Sequence, residues 1–280
     1  MEQKVKLLKN KANQIRRLII EMLAESASGH PGGSLSSTDI IACLFFAVMK
    51  HNPKDKDWDM RDRFHLSKGH CCPAVYAALS MCGYFPKKEL YSLRKCGAML
   101  QGHPDRHTPG VEVGSGSLGQ GLSVSLGMAL AAKMDKKDWR VYCLLGDGEL
   151  QEGNIWEAAM AAAHYKTDNL CAIVDYNGFQ IDGRTEDIMN LEPIVNKWEA
   201  FGWHVEQCDG HNIEALLAAF DQARMIKQKP SVIIARTVKG KGVSFMEHVV
   251  DFHGRAPTQQ EREIALKELG GTSDCGCECE

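Results

Sequence analysis

The second half of the chain alternates between short apolar segments and longer segments with helical periodicity. Most of the short segments contain a continuous apolar run, which is typical of a strand that is buried on both faces. Such strands, separated by helices, predict a parallel β-sheet with helices on both faces, the α/β class. The predicted strands are RVYCLLG (140–146), LCAIVDY (170–176), WHVEQC (203–208) and SVIIART (231–237), and the predicted helices cover 153–165, 190–200 and 212–227.

The first half predicts further helices around one more strand. Apolar residues recur at three- and four-residue steps over 4–25, which indicates a helix. Thr38 is predicted to be the N-cap of the next helix, and residues 101–121 form a loop rich in Gly and Pro. The other segments are a helix DIIACLFFAVMK (39–50), a strand within RDRFHLSKGH (61–70), a helix CPAVYAALSMCGY (72–84) and a helix LSVSLGMALAAKM (122–134). The last of these is apolar nearly all round, so we expect it to be buried.

Composition is that of an ordinary globular protein, with 44% hydrophobic and 25% charged residues. The formal net charge of −3 does not suggest nucleic acid or a membrane surface as a partner. No apolar run reaches the roughly 18 residues that a membrane span needs. The amino terminus also lacks the apolar core of a signal peptide. We therefore expect a cytoplasmic protein.

No clear linker interrupts the chain before about residue 268, so we predict one domain over 1–267 and a tail over 268–280. Eight of the eleven cysteines lie in the body of the chain and are predicted to be small buried side chains. Cys275, Cys277 and Cys279 alternate in the acidic tail, which we predict to be disordered. Three cysteines without a fourth ligand are a weak signal for a soft-metal or redox site.

Unusual loops follow four of the predicted strands. They are Gly69-His70, the GDG turn at 146–148, Asn177, and KGKG at 239–242. Ligands of parallel sheets bind beyond the carboxyl ends of the strands. Four polar loops at one edge of the sheet therefore predict a single site.

Asp147 and Asn177 end neighbouring strands and are about 30 residues apart, which is enough for one strand–helix–strand crossover. A carboxylate and an amide oxygen suit Mg²⁺ or Ca²⁺, with phosphate and water as further ligands. If a helix starts near Gly148, its N–H groups would point at that phosphate. The alternative is that Asp147 makes a tight turn and Asn177 caps another, and spacing does not decide between the two.

Four histidines lie in loops beside Gly or Pro: His30, His70, His103 and His253. Each taken singly is typical of a structural residue, but four in such loops favour a polar pocket. Their spacing does not match a zinc site such as H-x-x-x-H. Hydrogen bonding to phosphate or sugar hydroxyls, or proton transfer, fits better. The nearby GSGSLGQG segment (114–121) is a weak signal, since its glycines suit either a phosphate or a flat ligand.

Together these segments resemble the thiamin diphosphate motif, and specifically that of transketolases. The resemblance rests on SASGHPGG, RDRFHLSKGH, GVEVGSGSLGQG, GDGELQEG…VDYNGFQIDG and TVKGKGVSFME…FHG, in that order, and it extends to about residue 260. It covers the first of the three transketolase domains. The resemblance thus implies the thiamin diphosphate-binding fold and the amino-terminal subunit of a split transketolase. A separate chain would supply the pyrimidine-binding domain, in an α2β2 assembly acting on sugar phosphates.

The resemblance also implies roles for individual residues. Asp147, Asn177 and the carbonyl of Phe179 would bind Mg²⁺, for which Ca²⁺ or Mn²⁺ could substitute. The diphosphate would be held by Gly148, His70 and His253, and the rings of the cofactor by Gly116, Ser117, Leu118 and Ile181. The sugar would face His30, His103 and His253. Glu152 and Glu157 would belong to an acidic network that links two active sites.

This sequence departs from the family at Ser117, where many relatives have Pro, and at Phe252, where many have Trp. Neither change removes a functional group. The glutamate that activates the aminopyrimidine in this family comes from the pyrimidine-binding domain, so the chain alone should be inactive. Two alternatives stay open: a thiamin-dependent transferase for an unusual sugar, and a non-catalytic paralogue that binds the cofactor. A 2-oxo-acid dehydrogenase subunit would lack SGHPGG and FHG.

Overall fold

A computed structural model describes residues 1–55 and 57–270. The described strands are β1 Arg63–Leu66, β2 Val141–Gly146, β3 Leu170–Tyr176, β4 Phe179–Gln180, β5 Gly183–Arg184, β6 His204–Asp209 and β7 Ser231–Arg236. The central feature is a sheet of five parallel strands in the order β1-β2-β3-β7-β6. A separate two-stranded antiparallel hairpin, β4-β5, follows β3. The parallel sheet is confirmed, whereas the hairpin was not predicted.

Ten α-helices surround the sheet in the described part of the chain. They are α1 Glu2–Ser26, α2 Pro31–Ser36, α3 Thr38–Cys43, α4 Cys72–Cys82, α5 Gln120–Met134, α6 Gly153–His164, α7 Thr185–Ile188, α8 Ile194–Ala200, α9 Ile213–Met225 and α10 Gln259–Glu268. None of the helices in these described ranges is both long and apolar enough to cross a bilayer. The tail cysteines, and the disorder predicted for them, lie outside the described residues.

Successive residues of the central strands contribute to two hydrophobic cores, because side chains alternate between the faces of a sheet. Helices α1, α3, α4, α9 and α10 cover one face, and α5, α6 and α8 cover the other. The first core takes Tyr142, Leu144, Cys171, Ile173, Ile233 and Ala235, and the second takes Val141, Cys143, Leu145, Leu170, Ala172, Val174, Val232 and Ile234. The continuous apolar strands thus have the predicted reason: both faces are buried.

The predictions for Thr38 and Cys96 were wrong in detail. Thr38 is the first helical residue rather than the N-cap, and its hydroxyl donates to the carbonyl of Ser34 at 3.0 Å. Cys96 is exposed rather than buried, although the other described cysteines are buried or half-buried. It lies in a loop between Arg94 and Leu100, which no helix covers.

Helix α5 is not buried all round, as we had expected. Its inner face packs on the sheet, but Ser123, Gly127 and Ala131 are exposed, and Met134 is 82% exposed. The three small residues lie four positions apart, on one face of the helix. No element of the described chain covers this face, so an apolar pattern did not translate into complete burial.

The strand register brings the functional loops to one edge of the sheet. Gly146 pairs with Asp175, and Tyr176 pairs with Arg236. Beyond the strand ends, the N–H of Asp147 donates to the carbonyl of Asp175 at 3.3 Å. The N–H of Thr237 donates to the carbonyl of Tyr176 at 3.0 Å. The loops after these strands therefore start side by side.

Candidate active site

A cavity of about 240 Å³ lies at the carboxyl edge of the sheet. It joins the loops that the sequence singled out: those after β1, β2, β3 and β7, together with the loops around residues 30, 103 and 116. Among its lining residues are His30, His70, His103, Gly116, Leu118, Asp147, Gly148, Asn177, Phe179, Ile181 and His253. Ser117 borders an adjoining cleft instead, and Glu152 and Glu157 are exposed outside the cavity.

Asp147 is a buried carboxylate without a cationic partner within ion-pair distance in the described structure; its side chain accepts N–H bonds from Gly148 at 2.9 Å and from Gly178 at 2.6 Å. Burial, followed by the nearby Asp175 carboxylate, raises the pKa of Asp147 to about 7. A divalent cation would supply the missing positive charge, so the site fits one.

Asn177 lies beside Asp147 at the end of β3. Its side-chain oxygen accepts the N–H of Phe179 at 3.1 Å, and its side-chain nitrogen donates to Asp175 at 3.4 Å. No cluster of three or more His, Cys, Asp or Glu that could hold a metal occurs in residues 1–55 and 57–270. A cation here would therefore meet one carboxylate, with amide, carbonyl and ligand oxygens completing its shell, as suits Mg²⁺.

Gly148 begins a 3₁₀ turn, Gly148–Gln151, and the α-helix α6 starts only at Gly153. A helix near Gly148 was the condition for N–H groups that point at a phosphate, and the structure has only a short 3₁₀ turn there. The N–H of Gly148 also donates to Asp147 itself.

Three of the predicted histidines form one cluster in the cavity. The ring centroids of His30 and His70 are 5.2 Å apart, those of His30 and His253 are 5.5 Å apart, and those of His70 and His253 are 5.2 Å apart. His103 lines the same cavity. The structure therefore brings together four loops that are distant in the sequence.

All four histidines are neutral at pH 7. Burial, with Arg94 as a second cause, lowers the pKa of His30 to about 4. Burial, with Lys239 as a second cause, lowers the pKa of His253 to about 3. Burial also lowers the pKa values of His70 and His103. A neutral imidazole both donates and accepts, so the cluster is equipped to bind hydroxyl groups.

Two buried lysines border the cavity and were not assigned a role from the sequence. Lys68 pairs with the buried Asp175, which also accepts from Ser36 and Thr237. Lys239 is 1% exposed, and its Nζ lies 2.9 Å from Nδ1 of His253.

Lys239 differs from Lys68 because no carboxylate lies within ion-pair distance of it in the described structure. Burial, followed by the charge of Lys68, lowers the pKa of Lys239 to about 8. Such a buried, unpaired cation fits an anionic ligand. The sequence marked the KGKG loop but offered no means of telling Lys239 from Lys241, which is half-buried and pairs with Glu247.

Comparison with known proteins identifies the family of the chain. Residues 8–274 match the family described as "Transketolase, thiamine diphosphate binding domain". The chain is 47% identical over 263 residues to the 6-deoxy-6-sulfo-D-fructose transketolase subunit SqwG of Clostridium sp. (strain MSTE9), covering 94% of this chain and 96% of that protein. It is 42% identical over 265 residues to an apulose-4-phosphate transketolase subunit of Phocaeicola vulgatus, covering 95% and 94%.

Longer transketolases match over part of their length. Human transketolase is 41% identical over 269 residues, which are 96% of this chain and 43% of that protein. The crystal structure of Campylobacter jejuni transketolase superimposes with a TM-score of 0.90 at 34% identity, covering 95% of this chain and 43% of the other. The chain thus spans less than half of these proteins. The family match, the relatives and the shared fold together show that the chain belongs to the transketolase family and carries its thiamin diphosphate-binding domain.

Proposed function

We propose that this chain binds thiamin diphosphate with Mg²⁺ and acts as the amino-terminal subunit of a two-chain transketolase. The observation that carries this proposal is Asp147, a buried carboxylate that has no ion-pair partner among the described residues and lines the same cavity as four neutral histidines. The cation would bind to Asp147, to the amide oxygen of Asn177 and to the carbonyl of Phe179. Ca²⁺ or Mn²⁺ could take its place, since all three ligands are oxygens.

The remaining residues of the cavity divide between the two ends of the cofactor. His70, His253, Lys239 and the N–H of Gly148 would hold the diphosphate, because they supply hydrogen-bond donors and a buried positive charge. Gly116, Leu118 and Ile181 would contact the rings, with Ser117 behind them. His30, His103 and His253 would bind sugar hydroxyls and move protons. When bound, the cofactor would supply a nucleophilic carbon for reaction at a ketose carbonyl.

A separate partner chain is the second part of the proposal. Relatives named as subunits match this chain over 96% and 94% of their length, whereas human transketolase extends well beyond the match. Apolar side chains are exposed in and around these loops: Ile181, which lines the cavity, is 64% exposed, Val113, next to Gly114 of the adjoining cleft, is 39% exposed, and Met189 on the segment after α7 is 60% exposed. Exposed apolar groups beside a site are typical of a surface that another protein covers. A partner there would supply the groups that activate the aminopyrimidine.

We also propose that two copies of each chain assemble as α2β2. The uncovered face of α5, with Ser123, Gly127 and Ala131, would allow close approach of another helix, and Met160 on the neighbouring helix α6 is 60% exposed. Glu152 and Glu157 are exposed at the start of α6, where an acidic link between two sites would lie.

The sugar is a ketose, and two relatives favour an unusual one. The proteins at 47% and 42% identity are named for 6-deoxy-6-sulfo-D-fructose and apulose-4-phosphate. Transketolase structures from Pichia stipitis are described with xylulose-5-phosphate and sedoheptulose-7-phosphate. We propose a ketose with an anionic end group as the donor. A non-catalytic role remains the competing function, but it does not explain why all four neutral histidines line the cavity.

A complementation assay tests the function. The chain is purified alone and together with a partner of roughly 300 residues that carries the other two transketolase domains, and transfer from the four ketoses above to an aldose is followed with thiamin diphosphate and Mg²⁺. We expect no transfer from either chain alone and transfer from the mixture. Transfer by this chain alone contradicts the two-chain proposal. Cofactor binding without transfer in the mixture favours the non-catalytic paralogue.

Cation affinity should depend on pH through Asp147. Its pKa is about 7, so below that pH a proton competes with the cation for the carboxylate. We expect the Mg²⁺ affinity, measured with thiamin diphosphate by calorimetry, to fall about tenfold per pH unit below 7 and to level off above it. His30 stays neutral and Lys239 stays charged between about pH 5 and 7. A flat profile over that range excludes Asp147 as the ligand.

A further inference from the structure

Glu149 lies two residues after Asp147 and has no part in the function proposed above. It belongs to the 3₁₀ turn Gly148–Gln151, and its side chain is 3% exposed. One carboxylate oxygen accepts the N–H of Gly119 at 2.8 Å and the hydroxyl of Ser67, and the other accepts the N–H of Gly146 at 3.0 Å. No ion pair to Glu149 occurs within the described ranges. The buried carboxyl group is thus hydrogen-bonded wholly by uncharged donors.

The three donors come from three different segments beside the active site. Ser67 precedes the Lys68–His70 corner after β1, and Gly146 is the last residue of β2, immediately before Asp147. Gly119 directly follows loop 116–118 and is the N-cap of α5. These segments are far apart in the sequence, so only noncovalent contacts can set their relative positions. The Glu149 carboxylate is the group that contacts all three.

The same segments also pack closely against one another at two glycines. A β-carbon on Gly121 would lie 2.3 Å from the hydroxyl oxygen of Ser67. Gly119 has a φ of +84°, and a β-carbon there would lie 2.7 Å from Cβ of Glu152. These glycines let loop 116–118 approach β1 and the start of α6 closely. That approach places the N–H of Gly119 against the Glu149 carboxylate.

Asp147 and loop 116–118 differ in how many other hydrogen bonds fix their positions. Asp147 has its own anchors, because its N–H donates to Asp175 and its carboxylate accepts from Gly178. No backbone–backbone hydrogen bond ties residues 116–118 to another strand or loop of the described structure. The position of loop 116–118 therefore depends on Glu149 more strongly than the position of Asp147 does.

We propose that Glu149 is a positioning residue that fixes loop 116–118, which would contact the cofactor rings, relative to the Asp147 side, which would hold cation and diphosphate. This inference rests on the proposed function. As a consequence, Glu149 would set the distance between the two regions that contact one cofactor. A change at Glu149 should lower the affinity for a ligand that contacts both regions more than the affinity for a ligand that contacts only one.

Glu149→Gln tests this, because the glutamine nitrogen cannot accept an N–H bond from Gly146 or Gly119. Calorimetry would compare the affinity for thiamin diphosphate, which contacts both regions, with that for inorganic pyrophosphate, which contacts only the Asp147 side, each in the presence of Mg²⁺. We expect the affinity for thiamin diphosphate to fall about tenfold and that for pyrophosphate to change less than about threefold. Glu263→Gln, an exposed change of the same kind on α10, should alter neither.

Equal losses for both ligands, or no loss for either, overturn the proposal. If Glu149→Gln does not fold, Ser67→Ala removes a single hydrogen bond from the same carboxylate and should lower only the thiamin diphosphate affinity, about threefold. An unchanged affinity in that variant also overturns the proposal.

Amide hydrogen exchange separates this inference from the cofactor assignment. In Glu149→Gln the N–H of Gly119 should exchange at least about tenfold faster, while that of Leu144 inside β2 should not change. If wild type binds neither ligand, the cofactor proposal fails and the exchange result alone decides the role of Glu149. Unchanged exchange at Gly119 contradicts that role.

Discussion

Asp147→Ala should abolish Mg²⁺-dependent binding of thiamin diphosphate. Asp147 is the only carboxylate among the proposed cation ligands, and a hard divalent cation without a charged ligand binds far more weakly. Changes to groups that merely support a metal ligand cost about 10- to 100-fold in metal affinity. Loss of the ligand itself should therefore cost at least roughly 100-fold, measured by titrating the cofactor at saturating Mg²⁺.

A matched control separates this effect from a general change in charge. Asp135→Ala removes an exposed carboxylate at the end of α5, far along the helix from the cavity, and should leave cofactor affinity unchanged. Asp147→Ala should also remove the Mg²⁺ dependence of any binding that remains. Tight binding that still requires Mg²⁺ would show that Asp147 only shapes the turn, which is the alternative that spacing left open.

Lys239→Met should weaken thiamin diphosphate binding and, at the same time, stabilise the cofactor-free chain. The first effect follows because the buried Nζ is the cation beside His253 without a carboxylate of its own in the described structure. Losing a charge-assisted contact to the diphosphate should lower affinity about 10- to 100-fold. The second effect follows because methionine fills similar space without a buried charge.

The sign of the stability effect comes from the lowered pKa of Lys239. Its pKa of about 8 in the folded chain is below the ordinary value of 10.5, so the folded state binds the proton less readily than the unfolded state does. The resulting cost is complete below pH 8 and disappears as the pH rises towards 10.5. Lys239→Met should thus raise the free energy of unfolding by about 1–3 kcal/mol at pH 7, and by less at pH 10.

Lys241→Met is the matched control, since the two lysines share one loop. Lys241 is half-buried and pairs with Glu247, so its loss should change neither cofactor affinity nor stability by much. Denaturant titrations at the two pH values measure stability, and calorimetry measures binding. If Lys239→Met lowers both stability and affinity, Lys239 is a structural residue rather than a ligand for an anion.

The prediction of the fold succeeded where the sequence pattern directly reflects which residues are buried. The central strands β2, β3 and β7 are apolar at successive positions because helices cover both faces, and that pattern could be read without a structure. It failed at α5, where the same apolar character accompanies an uncovered face. Periodicity reports which surface avoids water, but it does not say whether the chain itself or another protein covers that surface.

The site likewise has residues that the sequence identified and residues that it did not. The spacing of Asp147 and Asn177, and the histidines in Gly-rich loops, identified the residues that the cavity brings together. Glu149 and Lys239 were not assigned from the sequence, although both lie in segments that had been singled out. Nothing in GDGELQEG distinguishes the buried Glu149 from the exposed Glu152, and nothing in KGKG distinguishes Lys239 from Lys241.

The sequence by itself determined the α/β class, the edge of the sheet where the cavity lies, and the four loops that line it. These follow from patterns local to each segment and from the rule that parallel strands end together. Only the tertiary structure decided which glutamate and which lysine are buried, which carboxylate lacks a countercharge, and which pKa values shift. Those properties depend on groups from loops far apart in the chain, and burial and charge act through space rather than along the sequence.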